Sequence, residues 1–275
     1  MDVKSLRPII VGGGNLGGSV ARGLFRAGIK PVVVQIREPN YDKLVADGIE
    51  TYETIAEALP RANGPIFIAL KPWLMQPWCS EHSDVLAGRT VVSCAALVEL
   101  ALLKKAAPGA HWGRIMTNIA SAVGAGFTGV ARGDWNDEET VTVTELCRSF
   151  GDAMLVSEKD LDGVICLSGS AIAYVFELLE GLIQGGLAVG MRSDVSLRAG
   201  IATLKGAAEL AAARGEHPAV LKDAVCTPGG TTIAGCRELL KDGFKSAFVE
   251  ALIATAEKTK AGTAAFNKIA SGDKE

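Results

Sequence analysis

The chain has 275 residues, 48% of them hydrophobic, with 28 basic against 31 acidic side chains and a formal net charge of -3. That length exceeds the ~150 residues of a usual single domain, so two domains are expected, each with a core of its own. The near-neutral charge, without any Lys/Arg block, argues against a nucleic-acid partner.

Six cysteines, Cys79, Cys94, Cys147, Cys166, Cys226 and Cys236, form no C-x-x-C pair, and no histidine sits at zinc-ligand spacing. They read as small buried residues in a reducing cytoplasm, and no metal site is expected. Met1 to Pro8 is polar and leads straight into a strand, so no signal peptide is expected.

Taken in order, Pro8-Ile9-Ile10-Val11 is a short apolar run ending in Gly12-Gly13-Gly14-Asn15-Leu16-Gly17, and a helical pattern follows through Val20, Leu24 and Phe25 to Gly28. Gly12, Gly14 and Gly17 fit G-x-G-x-x-G between a strand and a helix. There the glycines allow a tight turn, close approach of a pyrophosphate and close helix-strand packing. Dinucleotide binding is therefore expected, with Asn15 and Leu16 at the helix start that faces the phosphates. The second strand, Pro31 to Gln35, carries no Asp or Glu at its end, and Arg37 follows. A guanidinium suits a 2'-phosphate, so NADP(H) is favoured and NAD(H) stays open, since Glu38 lies beside it.

Strands are expected at Ile66 to Leu70, Thr90 to Cys94, Trp112 to Met116 and Ala153 to Val156. Helices are expected around Tyr41 to Asp47, Thr54 to Leu59, Trp73 to Leu86, Leu97 to Ala107 and from Asn136 to Ser149, the last with a cap formed by Asn136 and Glu139. Near-continuous apolar strands point to a parallel sheet covered on both faces. Lys71-Pro72 stands at the carboxyl edge of such a sheet, where ligands bind.

After Ser157 the pattern becomes helical throughout, and the domain boundary is expected there: residues 1–157 bind dinucleotide and residues 158–275 form a helical domain for dimerisation and substrate binding. Its segments are expected at about 161–168, 171–190, 193–214, 217–226, 231–241 and 244–269. The apolar run Ala171 to Gly190 carries Glu177, Glu180 and Gln184 on one face, which a bilayer would penalise, so no membrane association is expected. Small faces around Gly181, Gly185 and Gly186 and from Ala207 to Ala213 favour burial against another subunit, a homodimer or higher homo-oligomer.

Val225 to Gly235, V-C-T-P-G-G-T-T-I-A-G, joins a proline stop, two glycines and two hydroxyl residues ahead of a helix. The N–H groups of Gly230, Thr231 and Thr232 are then expected to lack helical partners and to bind a carboxylate at the positive helix end. A capped helix-helix turn explains the same residues without a ligand.

Together with the glycine turn, the segments Leu70-Lys71-Pro72, Arg114-Ile115-Met116-Thr117-Asn118, Leu167 to Tyr174 and Thr227-Pro228-Gly229-Gly230-Thr231-Thr232-Ile233 resemble the pyrroline-5-carboxylate reductase family, over nearly the whole chain and in the family's order. The resemblance implies a Rossmann-type α/β domain followed by an all-α dimerisation domain, in the cytoplasm. It implies reduction of the cyclic imine 1-pyrroline-5-carboxylate to L-proline by NAD(P)H, at a site between one subunit's cofactor domain and the helices of the dimer. Residues carried over for the cofactor are Gly12, Gly14, Asn15, Leu16, Gly17, Arg37, Ala69, Lys71, Pro72 and Asn118. Those for the substrate are Gly229, Gly230, Thr231 and Thr232, with the Thr232 hydroxyl at the ring nitrogen as the catalytic contact. The imine can arrive protonated, so His82, His111 and His217 are read as structural or surface residues, His217 near a helix start.

This chain departs from the family at Thr117, Ala120, Ala171, Ile172 and Ala202, at Leu97 where a glycine is usual, and at Ile55. The departures leave open a different cyclic imine or a non-catalytic dinucleotide-binding sensor. A 3-hydroxyacid dehydrogenase would place an asparagine one turn after a lysine base, and Lys205 is followed by Gly206, Ala207, Ala208 and Glu209 instead.

Overall fold

The computed structural model describes residues 3–35 and 39–271. It falls into two compact units, one containing the residues up to Ser170 together with those from Thr255 onward, the other Ala171–Ala254. The first unit runs β1 (Ile9–Val11), α1 (Asn15–Arg26), β2 (Val32–Val34), α2 (Pro39–Ala46), β3 (Glu50–Tyr52), α3 (Ile55–Ala58), β4 (Ile66–Ile68), α4 (Pro72–Glu81), α5 (Ser83–Leu86), β5 (Thr90–Ser93), α6 (Leu100–Ala106), β6 (His111–Met116), β7 (Gly126–Ala131), α7 (Asp137–Arg148), β8 (Gly151–Leu155) and α8 (Leu161–Val164). It ends in π-helical turns at Ile165–Ser170. The second unit holds α9 (Ala171–Ala188), α10 (Ser193–Arg214), α11 (Pro218–Val225), α12 (Thr231–Lys241) and the start of α13 (Phe244–Ser271), whose later part belongs to the first unit.

The strands form one eight-stranded sheet in the order β3-β2-β1-β4-β5-β6-β7-β8. Successive residues of a strand face opposite sides, and here both sides are buried. Ile9, Val11, Ile66, Ile68, Val91 and Trp112 join one core with Met75 of α4 and Leu103 of α6. Ile10, Val33, Phe67, Val92 and Ile115 join the other with Leu24 of α1 and Leu146 of α7. Full burial of each such side chain stabilises by roughly 1.5–3 kcal/mol, which is why these strands read as unbroken apolar runs rather than as alternation. The turn from β1 to α1 opens at one end of this sheet beside the ends of β4, β5 and β6.

Several sequence expectations are corrected. The sheet is not wholly parallel, because β7 pairs antiparallel with β6. Neither β7 nor β3 was expected. β7 carries Gly126 and Gly129, which look like turn residues. A Cβ on Gly126 would sit 2.4 Å from Ser121 Oγ and one on Gly129 2.9 Å from Val164 Cγ2, so close packing requires them. The helix expected from Leu97 begins at Leu100, since Leu97 has φ 68° and no residue in that conformation continues into a right-handed helix. The helix expected over Trp73–Leu86 divides into α4 and α5 at His82. No break separates Ser168 from Ala171; π-helical turns fill the interval. The capping box at Asn136/Glu139 forms as expected, and at the entry to the helical segment the Ser157 N–H and hydroxyl both donate to Asp160.

The second unit has a different interior. Every buried hydrophobic side chain among the described residues lies at or before Cys166, and within the helices of this unit only Ser196 and Gly200 are buried. α9 and α10 approach closely where a Cβ on Gly186 would meet Ser196 Oγ at 2.4 Å, whereas Gly181 and Gly185 have open space beside them. The stretch Glu158–Ala188 is long and apolar enough to cross a membrane by length and composition. Its polar residues Glu180 and Gln184 hydrogen-bond each other at 3.2 Å on the surface.

Candidate active site

The turn after β1 is built by exclusion of side chains. Gly12 has φ 96°, and a Cβ there would lie 2.8 Å from the Ala69 carbonyl oxygen at the end of β4. A Cβ on Gly17 would be 1.9 Å from the Gly12 carbonyl oxygen, so α1 can start this close to the strand only with glycine. Gly14 differs from both, because nothing lies within 4 Å of its would-be Cβ. Gly14 caps α1 without any side-chain hydrogen bond, so the first N–H groups of the helix, from Asn15 on, face open space with the positive end of the helix behind them. The Gln35 Oε1 accepts the Gly13 N–H at 2.6 Å and holds the turn from the end of β2.

These residues form one wall of a cleft of about 530 Å3 within the first unit, lined by Gly14, Asn15 and Leu16, by Ala69, Lys71 and Pro72 after β4, and by Cys94 to Ala96, Met116, Thr117, Gly169 and Ser170. Gly12 and Gly17 shape the turn from beneath without lining the cleft. Pro72 opens α4 at the first helical position, where its missing N–H costs no bond. Asn40, at the start of α2, also lines the cleft and was not singled out from the sequence. Arg37, the residue on which the NADP(H) expectation rested, lies outside the described residues.

Asn118 is held by the protein itself. Its Nδ2 donates to Ser168 Oγ at 2.9 Å, and its Oδ1 accepts the Ala120 N–H at 3.0 Å, while its neighbours Thr117 and Ile119 line the cleft. Thr117, one of the departures from the resembled family, is buried; its hydroxyl bonds Ser121 Oγ at 2.9 Å and accepts from Thr128 Oγ1 at 2.9 Å, a network that holds the end of β6. Arg114 is buried and donates to Glu158 at 2.8 Å; Glu158 also accepts the Leu100 N–H. It ties β6 to α6 and to the entry of the helical segment. Burial pushes the Cys94 thiol up to about 12, so it lines the cleft as a neutral group.

None of the three histidines lines a described cavity. His82 stacks on Trp78 with ring centroids 4.2 Å apart, His111 bonds Glu139 at 2.8 Å, and His217 caps α11 by accepting the Ala219 N–H. Lys205 pairs with Glu209 on an exposed helix face.

The P-G-G-T-T segment lies in the second unit. Gly229 has φ 69°, and Gly230 caps α12 without a side-chain bond. One expectation is corrected: the Gly230 N–H is not free, since it donates to the Thr227 carbonyl at 3.0 Å. The N–H groups of Thr231 and Thr232 remain in the first helical turn, beyond the reach of intrahelical acceptors. Gly229 and Gly230 border a groove of about 750 Å3 with Lys222, Cys236, Leu240 and Phe244. Two of the six cysteines also depart from expectation, because Cys226 and Cys236 are only half-buried.

Comparison with known proteins bears on the whole chain. Residues 158–261 match the model for pyrroline-5-carboxylate reductase dimerisation, and residues 8–97 match that for NADP oxidoreductase, coenzyme F420-dependent. Pyrroline-5-carboxylate reductase of Escherichia coli is 34% identical over 260 residues, covering 91% of this chain and 96% of the relative. The chain belongs to the pyrroline-5-carboxylate reductase family. The Arabidopsis thaliana reductase is 31% identical over 94% of this chain and 96% of its own length. Among solved structures, Plasmodium falciparum pyrroline carboxylate reductase with NADP bound superposes with a TM-score of 0.83 at 25% identity, covering 94% of this chain and 99% of that one. The residues aligned by resemblance therefore stand in a family fold from end to end.

Proposed function

We propose that the protein reduces 1-pyrroline-5-carboxylate to L-proline with NAD(P)H, and that it does so in the cytoplasm as a homodimer or higher homo-oligomer. The observation that carries this reading is the start of α12, an uncapped helix end with two threonines in its first turn, in a chain that also has a dinucleotide cleft. The residues of that cleft fit the cofactor, since the space beside Gly14 is the room a pyrophosphate needs and no side chain competes for the helix end. A nicotinamide dinucleotide, when bound, supplies the hydride for the imine carbon.

The chain's own groups do the rest by positioning. Asn15 and Leu16 hold the phosphates through their N–H groups, while Ala69, Lys71 and Pro72 wall the cleft beside the glycine turn. Asn118, held by Ser168, stands between the lining residues Thr117 and Ile119 at the cofactor. Arg37 reads the 2'-phosphate of NADP(H), and Asn40 is a lining residue of the cleft. The N–H groups of Thr231 and Thr232 anchor the substrate carboxylate, Gly229 and Gly230 leave it room, and the Thr232 hydroxyl contacts the ring nitrogen. No general base is required when the imine arrives protonated, in keeping with three histidines committed elsewhere. Functionally the chain divides near Ser157, with residues 158–275 supplying the dimer surface and the substrate anchor.

The test is nicotinamide oxidation with NADPH and with NADH, using 1-pyrroline-5-carboxylate and its six-membered homologue. Turnover of the five-membered imine with preference for NADPH is expected. Tight cofactor binding without turnover of either imine contradicts the reading.

A further inference from the structure

Leu97 is the one non-glycine residue with positive φ among the described residues, at 68°. A left-handed conformation crowds a side chain against its own backbone, and such a residue stays there only where its surroundings hold it. Leu97 stands in the turn between β5 and α6, directly after Cys94, Ala95 and Ala96, which line the cleft together with Gly14 and Asn15. The residues that hold it belong to the last part of α13, within the first unit. Its side chain rests on the bare backbone of Gly262, where a Cβ would come within 2.9 Å of Leu97 Cδ1 and 3.2 Å of Cδ2. Two residues on, Glu99 Oε2 accepts from Asn267 Nδ2 at 3.0 Å. Asn267 Oδ1 and Thr263 Oγ1 are shut away from solvent, so this contact is a packed one.

Glu99 is diverted to this contact from a local use. It stands at the N-cap of α6, where a side-chain acceptor commonly takes up an N–H of the first turn, yet it makes no such bond. Glu158 accepts the Leu100 N–H at 2.8 Å instead, and Arg114 of β6 holds Glu158 at 2.8 Å. The turn is therefore pinned twice, by Leu97 and Glu99 on α13 and by Leu100 on Glu158.

We propose that Leu97 is a positioning residue for the dinucleotide: seated on Gly262 and supported by the Glu99–Asn267 bond, it hooks the turn onto α13 and fixes Ala95 and Ala96 as a wall of the cleft. The inference rests on the reading of that cleft given above. Leu97 does not itself line the cleft, so it acts through the two residues before it. Without the hook, a residue with a side chain at this position leaves the left-handed region. Ala95 and Ala96 then move with it, because rigid peptide planes pass the change along the chain. Glycine adopts the same φ freely, so conformation and hook can be separated by substitution.

The experiment titrates NADPH into the full-length protein and into Leu97→Ala, Leu97→Gly and Asn267→Ala, each checked for folding by circular dichroism, and follows hydrogen exchange across residues 94–99. Leu97→Ala keeps the backbone penalty and loses the hook. Its NADPH affinity should fall about tenfold, as misplacement of a positioning group allows, with faster exchange at residues 94–99. Leu97→Gly should bind NADPH within about threefold of the unaltered protein, the margin left by glycine's extra freedom. Asn267→Ala should weaken NADPH in the same direction, and adding it to Leu97→Ala should change little, since both undo one contact. Unchanged affinity or unchanged exchange in Leu97→Ala overturns the proposal, as does a Leu97→Gly protein as weak as Leu97→Ala. A misread cleft fails differently: NADPH then protects neither residues 14–17 nor residues 94–99 from exchange in the unaltered protein, whereas exchange in the variants without NADPH still decides the hook.

Discussion

The sheet unit and the helical unit solve the burial problem in opposite ways. The first closes two cores of its own around Trp112 and Phe67, with its glycine turn locked between Gly12, Gly17 and Ala69. The second exposes Phe176, Leu182, Val189 and Leu240, some to more than half of their surface, and buries no large apolar side chain among its described residues. A helical layer that leaves so much apolar surface open is completed by another chain, as the dimerisation match over residues 158–261 indicates. The comparison teaches a division of labour. On the proposed function, cofactor binding is a property of one self-sufficient unit, whereas the proposed substrate anchor sits on a layer that needs a partner.

Four variants break or sharpen that contrast. The largest effect is expected from Phe176→Asp combined with Leu182→Asp, which places charge on the open helical face. Imine turnover should fall at least ~100-fold with loss of the oligomer, while NADPH affinity stays within about twofold, because folding of such a layer is linked to association; light scattering and cofactor titration check both. Thr232→Ala should lower imine kcat/KM by roughly tenfold to a hundredfold through loss of one polar contact, again with NADPH affinity intact, and unchanged kcat/KM removes Thr232 from the mechanism.

Gly17→Ala reverses the pattern. The added methyl would lie 1.9 Å from the Gly12 carbonyl oxygen, so the turn must open, at about 1–3 kcal/mol of stability and with weaker NADPH binding measurable by titration. The smallest effect is expected at Glu139. Burial opposes its ionisation, yet hydrogen bonds from the Asn136 N–H, Thr90 and His111 outweigh it and hold the carboxyl below its ordinary value. Its contribution is therefore complete above the unfolded carboxylate range and is lost as pH falls through the lower folded value. Glu139→Gln should cost about 1 kcal/mol near neutrality, as loss of a capping interaction does, and should flatten the acid side of the stability profile.

How far the sequence showed this depends on what each residue had to satisfy. The G-x-G-x-x-G turn was legible because backbone clashes demand glycine at Gly12 and Gly17 and open space lies beside Gly14, in a fixed spacing. The helices after Ser157 were legible because Gly190, Gly215, Pro218 and Gly243 mark their ends. β7 was hidden, since the glycines that let it pack against Ser121 and Val164 look like loop residues. Leu97 was hidden too: its φ of 68° is a left-handed conformation that only glycine advertises, and the structure seats its side chain against Gly262, where a Cβ would come within 2.9 Å of Leu97 Cδ1. At the candidate site, the open Gly14 and the threonines of α12 could be foreseen from motif chemistry. Sequence spacing could not foresee that Thr227 consumes the Gly230 N–H or that Asn118 is engaged by Ser168, because these follow from how turns fold back.

The most direct test follows NADPH binding and imine turnover on the same sample as dilution separates the subunits. The division of labour predicts that NADPH bound per chain stays constant through dissociation while turnover per chain collapses with the oligomer. Turnover per chain that is independent of oligomeric state, or cofactor binding that is lost along with it, would contradict it.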